Sequence, residues 1–155
     1  MGSGRVAQIS VSAGGVPKRP VEAAEVTASG VAGDAQRDLH HHGGPERAVC
    51  LFALEIIRAL RAEGHPIEPG HIGENLTLEG LDWAAVTPGA RLLLGEDVLL
   101  EITRYTSPCA NIRASFTDGA YARVSEKQHP GQSRVYARVV RAGTIRRGDP
   151  VRLLP

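Results

Sequence analysis

Residues 91–113 read RLLLGEDVLLEITRYTSPCANIR. Residues 91–94 and 98–103 are short apolar runs on either side of Gly95-Glu96-Asp97, the pattern of a β-hairpin. The chain then passes into residues 106–113, TSPCANIR, where Ser107-Pro108 predicts a helix start. Serine would be the N-cap, and proline the first helical residue, where its missing N–H costs nothing. Cys109 would then lie in the first helical turn, beside free backbone N–H groups and the positive end of the helix dipole. Such a place favours the thiolate, the form that attacks electrophiles and binds soft metals. Arg113, four residues on, would share that face and add positive charge. The alternative is that Cys109 is a small buried residue capping a strand.

The same alternation of short apolar runs and turns extends outward from this hairpin. Residues 5–12 (RVAQISVS) and 21–29 are expected strands, separated by Gly14-Gly15-Val16-Pro17 and the basic pair Lys18-Arg19. Residues 30–34 and 143–148 are expected turns, and residues 38–46 (DLHHHGGPE) a polar loop. Residues 47–53 (RAVCLFA) form an apolar run short enough for a buried strand. Residues 54–63 carry Leu54, Ile57 and Leu60 at helical spacing and end at Gly64, the clearest helix in the chain. Residues 75–78, 134–141 and 149–154 complete the strands, residues 81–86 form one helical turn, and residues 117–132 are a polar stretch. No helical pattern separates the first strands, so barrel strands are expected rather than βαβ units. The fold class is therefore mainly β with few helices, in one domain over residues 1–155.

At 155 residues the chain can bury roughly 68–70% of its unfolded surface. Two cysteines, Cys50 and Cys109, are too few for a disulfide framework and suggest a reducing compartment. The 18 basic and 17 acidic residues give a net charge of +1, which offers no electrostatic footprint for nucleic acid. Aromatic residues are 4% of the chain, too sparse for stacking platforms. Neither a signal-peptide core nor a membrane-spanning run is present in the sequence, so a cytoplasmic protein is expected. The P-loop, GxGxxG, GxSxG and HExxH patterns are all missing.

Several residues are placed to carry chemistry. His40-His41-His42 would put His40 and His42 on one face of an extended loop, suited to a metal or an anion, with a plain polar rim as the alternative. Cys50, between Val49 and Leu51, reads as a buried inert thiol. The Gly73-Glu74-Asn75 turn can point a carboxylate and an amide into a cleft, although these are also ordinary turn residues. Lys18, Arg19, Arg113 and Arg134 are candidates to hold an anionic ligand, and each alone is equally a solvated surface charge.

Taken together, His42-Gly43-Gly44-Pro45-Glu46-Arg47-Ala48-Val49-Cys50, Gly73-Glu74-Asn75-Leu76, Pro108-Cys109 within residues 106–112, and Gly148-Asp149-Pro150-Val151 resemble the MOSC domain family. That family is named for the C-terminal domain of molybdenum cofactor sulfurase. The stretches run in family order from about residue 5 to residue 153, and the chain is similar to the short stand-alone bacterial form. The resemblance implies a closed β-barrel similar to the pyruvate kinase β-barrel domain, with a site around Cys109. In relatives that cysteine ligates the molybdenum of a pterin cofactor or is proposed to carry sulfur.

The resemblance further implies that Glu74 and Asn75 line the site. Cys109 would be both metal ligand and catalytic residue. Lys18, Arg113 and Arg134 would neutralise the cofactor phosphate, and Asn75 with His42 would orient cofactor or substrate. Members similar to the mitochondrial amidoxime-reducing component reduce N-hydroxylated bases. That chemistry calls for molybdenum cofactor (molybdopterin), a small-molecule substrate and an electron-donating reductase as partner. The alternative is a sulfur carrier in which Cys109 takes a persulfide from a cysteine desulfurase. The family is also described as binding pyridoxal phosphate through association with such partners. A non-catalytic barrel that binds a small molecule or a metal, with a structural Cys109, is the third expectation.

Overall fold

The structure is a computed structural model of the chain, and it describes residues 2–35 and 44–155. Eleven strands carry the fold: β1 (Ser3–Val11), β2 (Arg19–Val21), β3 (Ala23–Thr27), β4 (Gly30–Val31), β5 (Val49–Ala53), β6 (Leu76–Glu79), β7 (Arg91–Leu94), β8 (Val98–Tyr105), β9 (Val135–Arg141), β10 (Gly143–Arg146) and β11 (Pro150–Leu153). One α-helix, α1 (Leu54–Ala62), joins β5 to β6, and short 3-10 turns fill the connections.

The alternation seen in the sequence is the alternation of a barrel wall. In β8, Val98, Leu100 and Ile102 are buried while Leu99, Glu101 and Thr103 between them are only partly so. The strands run in the order β11-β7-β8-β9-β5-β6-β1, and β1 pairs with β11 to close a seven-stranded barrel; β2 is added along the far end of β1. Every neighbouring pair in the barrel is antiparallel except β5–β6, which is parallel. A parallel pair needs a crossover, and α1 supplies it, burying Ile57 and Leu60. β5 is buried along its whole length, which is why its sequence is continuously apolar rather than alternating. The expected closed β-barrel is the observed fold.

β1 holds the barrel closed because it pairs three ways along its length. Ser3–Arg5 meet β11, Arg5–Ile9 meet β6, and Ile9–Val11 meet β2. The backbones of β1 and β6 come so close at Gly4 that a Cβ there would lie 2.0 Å from the Glu79 carbonyl oxygen.

Some connections differ from the sequence reading. The expected strand over residues 21–29 is split at Glu22, with β2 in the barrel and β3 in a separate three-stranded sheet of order β10-β3-β4. Residues 143–146, expected to turn, are strand β10, because Ile145 alternates inward to full burial opposite Ala24. The turn itself is confined to Arg146–Asp149, where the Asp149 N–H donates to the Arg146 carbonyl at 3.0 Å. Residues 30–31 likewise form β4 before the expected turn. The polar stretch 117–132 includes 3-10 turns at Thr117–Gly119 and Tyr121–Val124, held down by the fully buried Val124.

Replacing Gly4 by alanine forces β1 away from β6 at the strand that closes the barrel. The expected loss is about 2–3 kcal/mol, within the range for inserting an atom where none fits. Thermal unfolding of Gly4→Ala would read this as a fall of about 4–10 °C. An unchanged midpoint would show that β1 and β6 are not in this close register.

Candidate functional site

One end of the barrel closes over polar groups instead of aliphatic ones. Lys18, in the turn between β1 and β2, has only 5% of its side chain exposed and donates from Nζ to Asp34 Oδ2 at 2.6 Å. Asp34, just beyond β4, also accepts from the Ser12 backbone N–H at 2.9 Å and from Asn75 Nδ2 at 2.9 Å. A carboxylate with three donors against it, one of them a cation, is a satisfied buried anion.

Asn75 uses all its polar atoms. Nδ2 reaches the Ser10 carbonyl as well as Asp34, Oδ1 accepts from the Cys50 N–H at 3.0 Å, and the Asn75 N–H donates to the Cys50 carbonyl at 2.7 Å. This double bracket fixes Cys50 at the start of β5. The Cys50 thiol lies 3.8 Å from Thr106 Oγ1, and burial pushes its pKa up, opposed most by Arg134.

Glu74 and Arg134 form the second part of the cluster. Arg134, just ahead of β9, donates from one terminal nitrogen to the Ile72 carbonyl at 2.7 Å, while its buried Nε has no hydrogen-bond partner. Glu74 is fully buried, with one oxygen 3.5 Å from Thr77 Oγ1 and the other, Oε1, unpartnered. Burial raises its pKa to about 7; the backbone N–H groups around Gly70 and the Arg134 guanidinium pull the other way without prevailing.

Cys109 is not in a helix. Its backbone is extended (φ −137°, ψ 170°), and the six-residue 3-10 turn Ala110–Ser115 begins after it. The expected helix start is thus displaced by two residues, with Cys109 rather than Ser107 in the capping place. The turn is closed by the Cys109 carbonyl, which accepts from the Ile112 N–H at 3.2 Å. The half-buried Cys109 is a free thiol, as is Cys50. Tyr136, opposite Cys50 in the β5–β9 pairing, connects the two. Burial raises its phenol pKa first, with Cys50 and, more weakly, Cys109 adding to the rise, opposed by Arg134 and by Arg47, whose guanidinium sits 6.0 Å over the ring.

Of the residues expected from sequence, Lys18, Glu74, Asn75 and Arg134 converge in this cluster. Arg113 does not: it is exposed, and its guanidinium turns back on the Ala110 carbonyl at 3.2 Å within its own turn. A 3-10 turn does not bring residues four apart onto one face as an α-helix does, which removes the basis for pairing Arg113 with Cys109. His42 and its neighbours His40 and His41 lie outside the described residues. Among the described residues no three His, Cys, Asp or Glu side chains are grouped to hold a metal. Asp34, Tyr136 and Arg47 are the residues that sequence reasoning missed. Asp34 was legible only as a turn residue, while Arg47 carried a signal in its place beside Pro45-Glu46.

This barrel, carrying a cysteine after a proline and a buried Gly-Glu-Asn turn, defines a class. The sequence matches the MOSC domain family over residues 38–152. The chain belongs to that family. It is 32% identical over 142 residues to the uncharacterized protein YflK of Bacillus subtilis, covering 90% of this chain and 63% of YflK. It is 34% identical over 134 residues to a Gibberella moniliformis protein named a reductase, covering 83% of this chain and 23% of that protein. The chain therefore spans less than two thirds of the length of either. In structure it resembles YiiM from Geobacillus stearothermophilus, with a TM-score of 0.74 and 24% identity over 98% of this chain and 75% of that one. No helix among the described residues is long and apolar enough to cross a membrane.

Glu74 makes stability pH-dependent in a stated direction. In the unfolded chain its proton is lost near the ordinary value of 4.5, whereas in the folded protein it is kept until about 7. Between those values the folded state binds more protons, so its stability falls as pH rises, by about 3 kcal/mol in all. Urea unfolding from pH 4.5 to 8 should show this decline, and Glu74→Gln should flatten it. An equal slope in both proteins would contradict the assignment.

Proposed function

We propose that this protein binds a molybdenum–pterin cofactor and reduces N-hydroxylated small molecules, with Cys109 as the protein ligand to the metal. The observation that carries this reading is that Tyr136 feels both the half-buried free Cys109 and the buried Arg134, whose Nε lacks a partner. The donor set fits such a group. A soft, strongly electron-donating thiolate suits a molybdenum centre, and an incompletely bonded guanidinium can complete its bonds on a phosphate. Membership of a family named for molybdenum cofactor sulfurase supports it, as does a relative that bears the name reductase.

When bound, the cofactor supplies two-electron oxygen-transfer chemistry: R–NHOH takes two electrons and two protons to give R–NH2 and water. The chain's own residues do the rest. Arg134 holds the anionic end of the ligand. Lys18 is neutralised by Asp34, so it anchors Asp34 and through it Asn75 rather than adding charge for the ligand. Asn75 fixes the β5 edge on which Cys50 and, across the pairing, Tyr136 stand. Glu74, its carboxyl raised to about 7 by burial, carries less negative charge beside Arg134 near neutral pH than an ordinary glutamate would. Electrons come from a separate reductase, because the sequence offers no flavin or iron–sulfur motif.

Protein made in a host competent in molybdenum cofactor synthesis should carry molybdenum and pterin, measured by elemental analysis and pterin fluorescence. Cys109→Ala should lose the metal. Metal absent from the wild type would overturn the reading. It would favour the sulfur carrier instead, for which incubation with a cysteine desulfurase should add one sulfur to the Cys109 peptide by mass spectrometry.

A further inference from the structure

A recess separate from the buried Lys18–Asp34 pair opens beside Trp83. It has a volume of about 250 Å³ and sits between the 3-10 turn Trp83–Ala85 and the segment 126–133, with Tyr105 from the end of β8 contributing to the wall. Tyr105 and Thr106 are consecutive in extended backbone and so face opposite ways: Tyr105 lines the recess, while Thr106 packs on Cys50.

Its walls are fixed. The Trp83 indole N–H donates to the Ser133 carbonyl at 2.7 Å, and the ring meets Phe52 edge-on at 6.4 Å. Both oxygens of Glu126 accept from the Gly131 N–H, at 3.1 and 3.2 Å. Gly131 has φ +81°, and a Cβ there would press on Ala84 Cβ at 3.4 Å, so glycine both makes the bend and lets the two walls approach.

The charge in this recess is not balanced. Glu126 has no ion pair among the described residues, and none of the lining residues is Lys, Arg or His. Only hydroxyls accompany it, from Tyr105, Thr87 and Ser133. A carboxylate pinned by backbone, beside an indole and a phenol, is an arrangement that selects a positively charged group on a flat apolar body.

We propose that this recess is a binding site for an organic cation of the amidine or guanidinium class, with Glu126 as counter-ion and Trp83 and Tyr105 as its aromatic walls. It is independent of the function proposed for Cys109.

Trp83 is the chain's single tryptophan, so its fluorescence reports this site alone. Benzamidine titrated into the full chain should change that emission saturably, with a midpoint near or below about 1 mM. Benzamide, the same shape without the charge, should not. Glu126→Gln still accepts the Gly131 N–H, and it should weaken benzamidine by at least about tenfold. Cys109→Ala should leave the response intact. A wild type without saturation up to about 20 mM, or responding equally to benzamide, would overturn the site. So would an unchanged affinity in Glu126→Gln, or loss of the response in Cys109→Ala.

Discussion

The buried contact between Lys18 and Asp34 is the interaction on which this end of the barrel depends. Both side chains are about 95% withdrawn from water, and the pair survives because its remaining valences are used. Asp34 takes bonds from Ser12 and Asn75 as well as from Lys18, so the end of β1, the turn before β2, the turn after β4 and the approach to β6 all meet on one carboxylate. An ion pair this dry contributes little net stability compared with packed aliphatic residues, but losing one partner strands the other charge at a cost of about 3–5 kcal/mol.

The consequences spread along the sheet. With Nδ2 committed to Asp34 and Ser10, Asn75 can turn only Oδ1 toward Cys50, which sets the start of β5. β5 in turn pairs with β9, so Tyr136 and the neighbouring Arg134 are placed by the same network. A barrel end could be closed with leucines alone at lower cost. Four ionisable side chains buried there, two of them with an unpartnered atom, are instead the features of a surface that binds something.

Much of the architecture was legible because strand and helix periods are local properties. The hairpin of β7 and β8, the helix α1 and the continuous apolar β5 follow directly from side-chain alternation, helical spacing and a short apolar run. What failed were positions where distant contacts overrule local signals. Gly143 looks like a turn, yet Ile145 needs a place in the core, and that need makes residues 143–146 a strand. Ser107-Pro108 looks like a helix start, yet the chain stays extended through Cys109. The site was half legible: Lys18, Asn75, Glu74 and Arg134 have side chains that could only be buried with partners, but the partner Asp34 lies 41 residues from Asn75 and no pattern links them. Arg113 misled because its pairing with Cys109 assumed an α-helix.

A double-mutant cycle on Lys18→Met and Asp34→Leu, read by urea unfolding, tests the central interaction most directly. Each single replacement should destabilise by about 3 kcal/mol or more, and the double should lose less than the sum of the two, by a coupling of at least about 2 kcal/mol, the stranded Ser12 and Asn75 donors keeping it below the wild type. Single effects that simply add, to within about 0.5 kcal/mol, would mean that the two charges do not meet and that this end of the barrel is held by something else.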